Sequence, residues 1–406
     1  MTAISAIIAT YNRRNYLEEA IAGLQTQTRP VDEIVIWDDG STDSTEGFGR
    51  AIAERSAGKI LYRRGKNRGK SCALNAALQE ATGTYIWICD DDDIALPIAA
   101  ERLASVLDLG DVGLCAGRHI RFRDNPQTGE REDLGTGYWP DLRTGSVLRH
   151  LLEDVFFFQN GTMVRREALR KVGPFREDLA RSIDYEMFVR LAARFPATMI
   201  DDVLFLQRKH DGARGPSSMQ HCASESDLVW LDHDRKIFSD FRHVLPLTLY
   251  EALFDSDDIL LRRRAGLLQR ACVYARRTDW GSAQTDFRQA ATLAPELPLT
   301  PTESEIVRRA MSGKHGSAAA FRAPVLTDLL SLRDLGPTGR GIASELGRGA
   351  RWRARAALEA HDVAEVARIA AFVARLSGFS SLRRSAPAPP SHLWEKHKLE
   401  PSDYAW

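Results

Sequence analysis

Short, mostly apolar runs alternate with amphipathic stretches through the first 110 residues. Ala3 to Ala9, Glu33 to Trp37, Lys59 to Arg63 and Tyr85 to Cys89 are rich in β-branched and aromatic side chains. Runs of this length without polar alternation read as strands, and the most apolar of them as strands buried on both faces. Between them, Arg14 to Gln25, residues 44–56 and Lys70 to Glu80 carry spaced apolar positions that predict helices. The second of these helices opens on an N-cap signal in Asp39-Gly40-Ser41-Thr42-Asp43. Strands and helices in this order make a βαβ series and favour a parallel sheet. From 111 to about 210 the pattern mixes, with strand-like runs at 112–123 and 200–207 and helices near 144–153, 165–171 and 184–194. The fold class expected is α/β: a mixed, mostly parallel sheet flanked by helices, in a first domain spanning 1–225.

Beyond 225 the pattern is almost entirely helical, which predicts a second domain over 226–380. Ala265 to Pro295 holds two helical stretches broken at Thr278-Asp279-Trp280-Gly281, and its small residues are spaced so that two helices can approach closely. The stretch near 265–295 resembles one tetratricopeptide hairpin, a unit that has to pack on neighbours to be stable. Arg348, Arg351, Arg353 and Arg355 precede an amphipathic run over 363–376, a surface that fits either packing within the domain or contact with an anionic membrane or a protein partner. Residues 381–406, with Ala386-Pro387-Ala388-Pro389-Pro390, are expected to form a flexible tail.

Composition narrows the function classes. The 406 residues include 55 Lys and Arg against 55 Asp and Glu, a balance that argues against nucleic acid as the main partner. Five cysteines, an odd number without Cys-x-x-Cys spacing, read as free thiols of a reducing compartment. No apolar stretch approaches the roughly 20 residues of a membrane span, so the expected location is the cytoplasm, with a peripheral place at the inner face of the membrane left open.

Two of the predicted strands end in acid: Asp38-Asp39 after the second and Asp90-Asp91-Asp92-Asp93 after the fourth. Open α/β sheets bind ligands at the carboxyl ends of their strands. Adjacent carboxylates repel one another and exclude a polyanion, and a divalent cation removes both difficulties. The first strand leads into Thr10-Tyr11-Asn12-Arg13, and Asn67-Arg68-Gly69-Lys70 opens the helix carrying Asn75, so hydroxyl, ring, amide and cationic groups gather at the same sheet edge. Taken singly, Asp39 to Asp43 reads more readily as a turn with a cap than as a binding site, and four acids in a row read equally well as a solvated loop.

As an ordered set, Ala9-Thr10-Tyr11-Asn12-Arg13, Asp38 to Asp43, Asn67-Arg68-Gly69 with Asn75, and Asp90-x-Asp92-Asp93 resemble glycosyltransferase family 2, inverting nucleotide-sugar enzymes of GT-A fold. The resemblance covers roughly residues 1–215. It extends to Asn160-Gly161-Thr162-Met163, Val172-Gly173-Pro174-Phe175 and Ser182-Ile183-Asp184-Tyr185, with Ile183 where relatives usually carry Glu. The resemblance implies Asp184 as catalytic base and Mg²⁺ or Mn²⁺ held by Asp92. It also implies a nucleotide-diphosphate sugar bound by Thr10, Tyr11, Asn12, Arg13, Asp38, Asp39, Arg68, Lys70, Asn75, Asp90 and Asp91. Gln207-Arg208-Lys209-His210 resembles the segment that closes over the diphosphate, with Arg208 as a donor contact and His210 as a further metal ligand. The expected acceptor is a glycan or lipid-linked hydroxyl, in cell-surface polysaccharide or glycolipid synthesis. The alternative is a catalytically idle sugar-nucleotide module whose helical half recruits a partner. Neither the nucleotide nor the sugar can be read from the residues.

Overall fold

A computed structural model of the chain describes residues 2–125, 127–209, 226–377 and 392–404. The opening series is β1 (Ile4–Thr10), α1 (Arg14–Gln25), β2 (Glu33–Asp38), α2 (Thr45–Arg55), β3 (Ile60–Arg64), α3 (Lys70–Glu80) and β4 (Tyr85–Asp90). There follow β5 (Ile94–Ala95), α4 (Ala99–Asp108), β6 (Leu114–Asp124), β7 (Arg131–Thr136), α5 (Val147–Glu153), β8 (Thr162–Arg165), α6 (Arg166–Val172), α7 (Ile183–Ala192) and β9 (Ala197–Arg208). The strands join in one mixed sheet of order β3-β2-β1-β4-β8-β6-β9-β5, with β7 on β6. Its first half, β3 to β4, is parallel, and β8 then pairs antiparallel with both β4 and β6. The expected class, a mixed, mostly parallel sheet flanked by helices, is the observed one.

The apolar runs form strands because both faces are covered. Ile4, Ala6 and Ile8 of β1 and Trp87 of β4 are buried in a core shared with Leu17, Ile21 and Leu24 of α1 and Leu103 and Leu107 of α4. Each of the Ile and Leu side chains contributes about 1.5–3 kcal/mol on full burial. α1 and α3 span the residues their apolar spacing predicts. By contrast β7, with every residue exposed, carries no hydrophobic alternation and is held by its backbone ladder to β6.

Two compact units divide the chain, one of Met1–Asp141 with Val155–Ser226 and one of Leu142–Asp154 with Asp227–Trp406. The short segment Leu142–Asp154, assigned to the first domain from its sequence position, thus clusters with the second. Its acids and bases explain why: Glu153 of α5 accepts from Gln269 at 3.0 Å and pairs with Arg309 at 2.9 Å.

The second unit contains α8 (Ser226–Val244), α9 (Leu247–Glu251), β10 (Phe254–Asp255), α10 (Ile259–Ala275), α11 (Trp280–Leu293) and α12 (Pro301–Arg309). It continues with α13 (Val325–Ser331), α14 (Gly336–Gly349), α15 (Arg351–Glu359), α16 (Val363–Ser377) and β11 (Trp394–Glu395). α10 and α11 are consecutive helices on either side of the break expected at 278–281. Thr278, at φ 57°, makes the break, and Asp279 caps α11 through Ser282 N–H at 3.1 Å. Residues 392–404, within the stretch read as a flexible tail, are packed: β11 pairs with β10, and Leu393 and Leu399 are buried. Among the described residues no helix is long and apolar enough to cross a membrane.

Candidate functional site

β1, β2 and β4 run parallel with β1 between the other two, and their carboxyl ends lie side by side. Thr10 stands opposite Asp38 across one ladder, and Ala9 opposite Asp90 across the other. From β1 the chain steps outward first through β2 and β3 and later through β4, so the connections leave β1 on opposite sides. That reversal leaves a crevice at the strand ends, where open α/β sheets take ligands.

The two acids after β2 work mainly on the backbone around them. Asp38 is fully buried and accepts from Ser41 N–H at 2.7 Å and from the Tyr62 hydroxyl at 2.5 Å. Asp39 accepts from the N–H groups of Arg68 and Gly69, at 2.9 and 2.8 Å, and so fixes the loop that opens α3. Burial raises the Asp39 carboxyl above its ordinary value, against the pull of those two donors. Gly40 sits at φ +82°, and a Cβ there would meet Asn67 N at 2.9 Å, so the turn depends on glycine. On the β1 side, Asn12 at φ 53° accepts from Thr42 N–H at 2.7 Å while its own N–H reaches the Ser41 hydroxyl at 2.9 Å.

The acid turn after β4 is bracketed by cations. A single Arg13 nitrogen lies 2.9 Å from Asp91 and 2.8 Å from Asp92, and the Lys70 ammonium pairs with Asp90. Burial pushes the Asp91 carboxyl up to about 6; Arg13 opposes the rise and Asp92 adds to it. Asp93 is pushed well up by burial and by the charges of Asp92 and Asp90, and it accepts from Arg208 N–H at 2.9 Å.

Asp184 lies in the first turn of α7, just past Ser182, whose φ of 54° bends the chain into the helix. Its carboxylate accepts from Tyr185 N–H at 2.9 Å. Burial raises its proton affinity, the Lys70 charge lowers it and the Asp90 charge raises it further. Lys70 pairs with Asp90 of the acid turn and acts electrostatically on Asp184.

The other expected site residues take varied places. Thr10 is buried beside Asp91, and Tyr11 is exposed at the same edge. Arg68 is exposed and reaches Glu177 at 3.4 Å. Asn75 is occupied in clamping a neighbouring segment: its amide donates to Phe175 O at 2.9 Å and accepts from Phe175 N–H at 2.8 Å. Arg208 is buried, lies over the rings of Tyr16 and Phe122, and donates to Asp92 O at 2.9 Å and to Glu19 at 2.7 Å. Its side chain thus braces the acid turn from inside the fold. His210 lies outside the described residues. The contacts of Tyr62 with Asp38, Glu19 and Asp124 with Arg208, Glu177 with Arg68 and Asn160 with Asp90 have no signal in the sequence, because in each pair the partners are far apart along the chain.

Among the described residues no group of three or more His, Cys, Asp or Glu is arranged to hold a metal ion by itself. The oxygen donors of the acid turn nevertheless fit a hard divalent cation of the Mg²⁺ type. Such ions are commonly held by one or two carboxylates, with substrate phosphates and water completing the octahedron. Asp92, with Asp90 or Asp91 beside it, provides that minimum.

Residues 5–173 match glycosyl transferase family 2. The family-2 segment thus contains the ends of β1, β2 and β4 and the acid turn. The chain is 38% identical over 181 residues to an uncharacterized glycosyltransferase of Nostoc sp., covering 42% of this chain and 53% of that protein. It is 25% identical over 279 residues to an uncharacterized glycosyltransferase of Rickettsia felis, covering 68% of this chain and 44% of that one. The chain thus spans about half the length of these relatives. Among solved structures it is similar to a mannosyltransferase of Pyrobaculum calidifontis in complex with GDP-Man and Mn²⁺, with 20% identity, a TM-score of 0.47, and 80% of this chain and 82% of that one covered.

Proposed function

We propose that this chain transfers a sugar from a nucleoside-diphosphate sugar to an acceptor hydroxyl, with inversion at the anomeric carbon. The observation that carries the reading is the acid turn at the adjoining ends of β1, β2 and β4, paired with Arg13 and Lys70 and lying in the segment that matches glycosyl transferase family 2, with Asp184 within electrostatic reach of Lys70 and Asp90. Ionised Asp184 accepts the proton of the acceptor hydroxyl while that oxygen forms its bond to the anomeric carbon. The bond from that carbon to the diphosphate breaks on the opposite face, and its electron pair leaves with the nucleoside diphosphate. A positioned base of this kind typically contributes 10²–10⁴-fold. Arg13 and Lys70 place positive charge at the strand ends, where the anionic donor is to sit. A divalent cation held by Asp92 would supply neutralisation of the departing diphosphate. Asp38 and Asp39 shape the donor side by fixing the turn and the 67–69 loop. By analogy with the family that the chain resembles, we take the product to be a cell-surface glycan.

A thermal-shift screen with UDP, GDP, TDP and CDP, each with Mn²⁺, Mg²⁺ or EDTA, tests the donor half. A ligand at 100 times its Kd adds about 2.7 kcal/mol of stability, an easily measured rise in Tm. The expected result is one nucleotide with a metal-dependent shift that Asp92→Asn abolishes. Donor hydrolysis or transfer, measured with Asp184→Asn, tests the base: turnover should fall 10²-fold or more with nucleotide binding retained. Absence of any shift, or full turnover in Asp184→Asn, would overturn the reading.

A further inference from the structure

The parallel ladder between β1 and β4 extends to Asp90, but the antiparallel ladder on the other side of β4 stops at Trp87 opposite Met163. Ile88 to Asp90 therefore leave the sheet's second edge unpaired just where the acid turn begins. A buried main-chain N–H without a partner is costly, so something must take the place of the missing strand. That partner is Asn160, 1% exposed, whose side-chain oxygen accepts from Asp90 N–H at 3.1 Å while its carbonyl accepts from the Trp87 indole at 2.8 Å. At the far end of the turn, Arg208 reaches Asp92 O through its side chain and Asp93 through its main chain, both at 2.9 Å.

We infer that Asn160 and Arg208 are positioning residues that hold the Asp90–Asp93 turn at its two ends and so set the carboxylate geometry on which cation and diphosphate binding depend. The inference rests on the proposed function and adds to it two residues that touch neither metal nor substrate. It also assigns Arg208, expected at the donor, to the support of the acids. Asn160 brings a second consequence. Its side-chain nitrogen is buried without a hydrogen-bond partner among the described residues, so the bond to Asp90 N–H is the polar contact that shortening the side chain removes.

The test is an Mn²⁺ titration of UDP and GDP binding, followed by calorimetry or thermal shift, on wild type, Asn160→Ala, Arg208→Lys and Asp92→Asn. Asn160→Ala should raise the Mn²⁺ midpoint about tenfold, the worth of one hydrogen bond of about 1.4 kcal/mol, and leave nucleotide binding in EDTA unchanged. Asn160→Ser, which keeps a shorter acceptor, should recover part of the loss. A purely structural role would lower the Tm of the unliganded protein and leave the Mn²⁺ midpoint in place, and that result overturns the inference. Should Asn160→Ala fail to fold, Arg208→Lys decides in its place, because it keeps the main-chain contact to Asp93 and gives up the side-chain contact to Asp92. If Asp92→Asn itself leaves the Mn²⁺ midpoint unchanged, the proposed metal role has failed, and the failure is separate from that of the two supports.

Discussion

Replacing Asp91 with Asn should make the ligand-free protein more stable at neutral pH and poorer at binding. Asp91 is 6% exposed and titrates at about 6 instead of its ordinary 3.8. That gap corresponds to about 3 kcal/mol of strain on the ionised form. The folded state keeps the Asp91 proton up to about 6, whereas the unfolded chain loses it near 3.8. Wild type therefore loses stability as pH rises through this window, and above it the full cost is present. Asp91→Asn removes the charge at nearly constant shape and leaves Arg13 its contact with Asp92 at 2.8 Å. For a unit of this size 1 kcal/mol moves Tm by about 2–4 °C, so the variant should melt up to about 10 °C higher at about pH 7.5 and level with wild type near pH 4. Thermal unfolding followed by circular dichroism across that range measures the difference. Saturating Mn²⁺ and nucleotide should cancel or reverse it, because the cation favours the ionised turn. A variant less stable than wild type at neutral pH, or a difference independent of pH, would refute the argument that the acid turn is held under charge strain.

Lys70 lowers the proton affinity of Asp184, so Lys70→Met should move the acid limb of the kcat/KM profile to higher pH; an unmoved limb would separate Lys70 from the base. Asp39→Ala removes the acceptor for the Arg68 and Gly69 N–H groups. It should cost about 1–3 kcal/mol in urea unfolding and weaken nucleotide binding, and unchanged binding would detach the 67–69 loop from the donor site. Gly40→Ala forces a Cβ to within 2.9 Å of Asn67 N at a positive φ and should cost at least about 1 kcal/mol, visible as a lower midpoint with an unchanged m-value.

The elements that surround the acids were legible because their signals are local. α1 and α3 carry helical periodicity within themselves, and β1, β2 and β4 are apolar enough to mark buried strands. β8 was hidden by its brevity, four residues that open directly into α6, and β7 by its polar Arg131-Glu132-Asp133-Leu134 sequence. The same division runs through the site. That Asp38, Asp39 and the Asp90–Asp93 run lie at strand ends follows from local pattern. That Asp38 faces Tyr62, 24 residues away, and that Asn75 clamps Phe175, 100 residues away, follows from tertiary packing, which no spacing rule encodes. Arg208 is the sharpest case: a cation read as a ligand contact is buried among Tyr16, Phe122, Glu19 and Asp124.

Asn160 meets Asp90 across 70 residues of chain, and Arg208 meets Asp93 across 115 and Glu19 across 189. Closing such loops is paid for in chain entropy before the contacts can repay it, so these pairings belong to the late stages of folding. The β1–β4 region can gather its local contacts early, yet the acid turn at its end stays unbraced until β8 and β9 have docked. Recovery of nucleotide binding during refolding should therefore lag behind recovery of helical circular dichroism, and ligand competence becomes a clock for completion of the sheet.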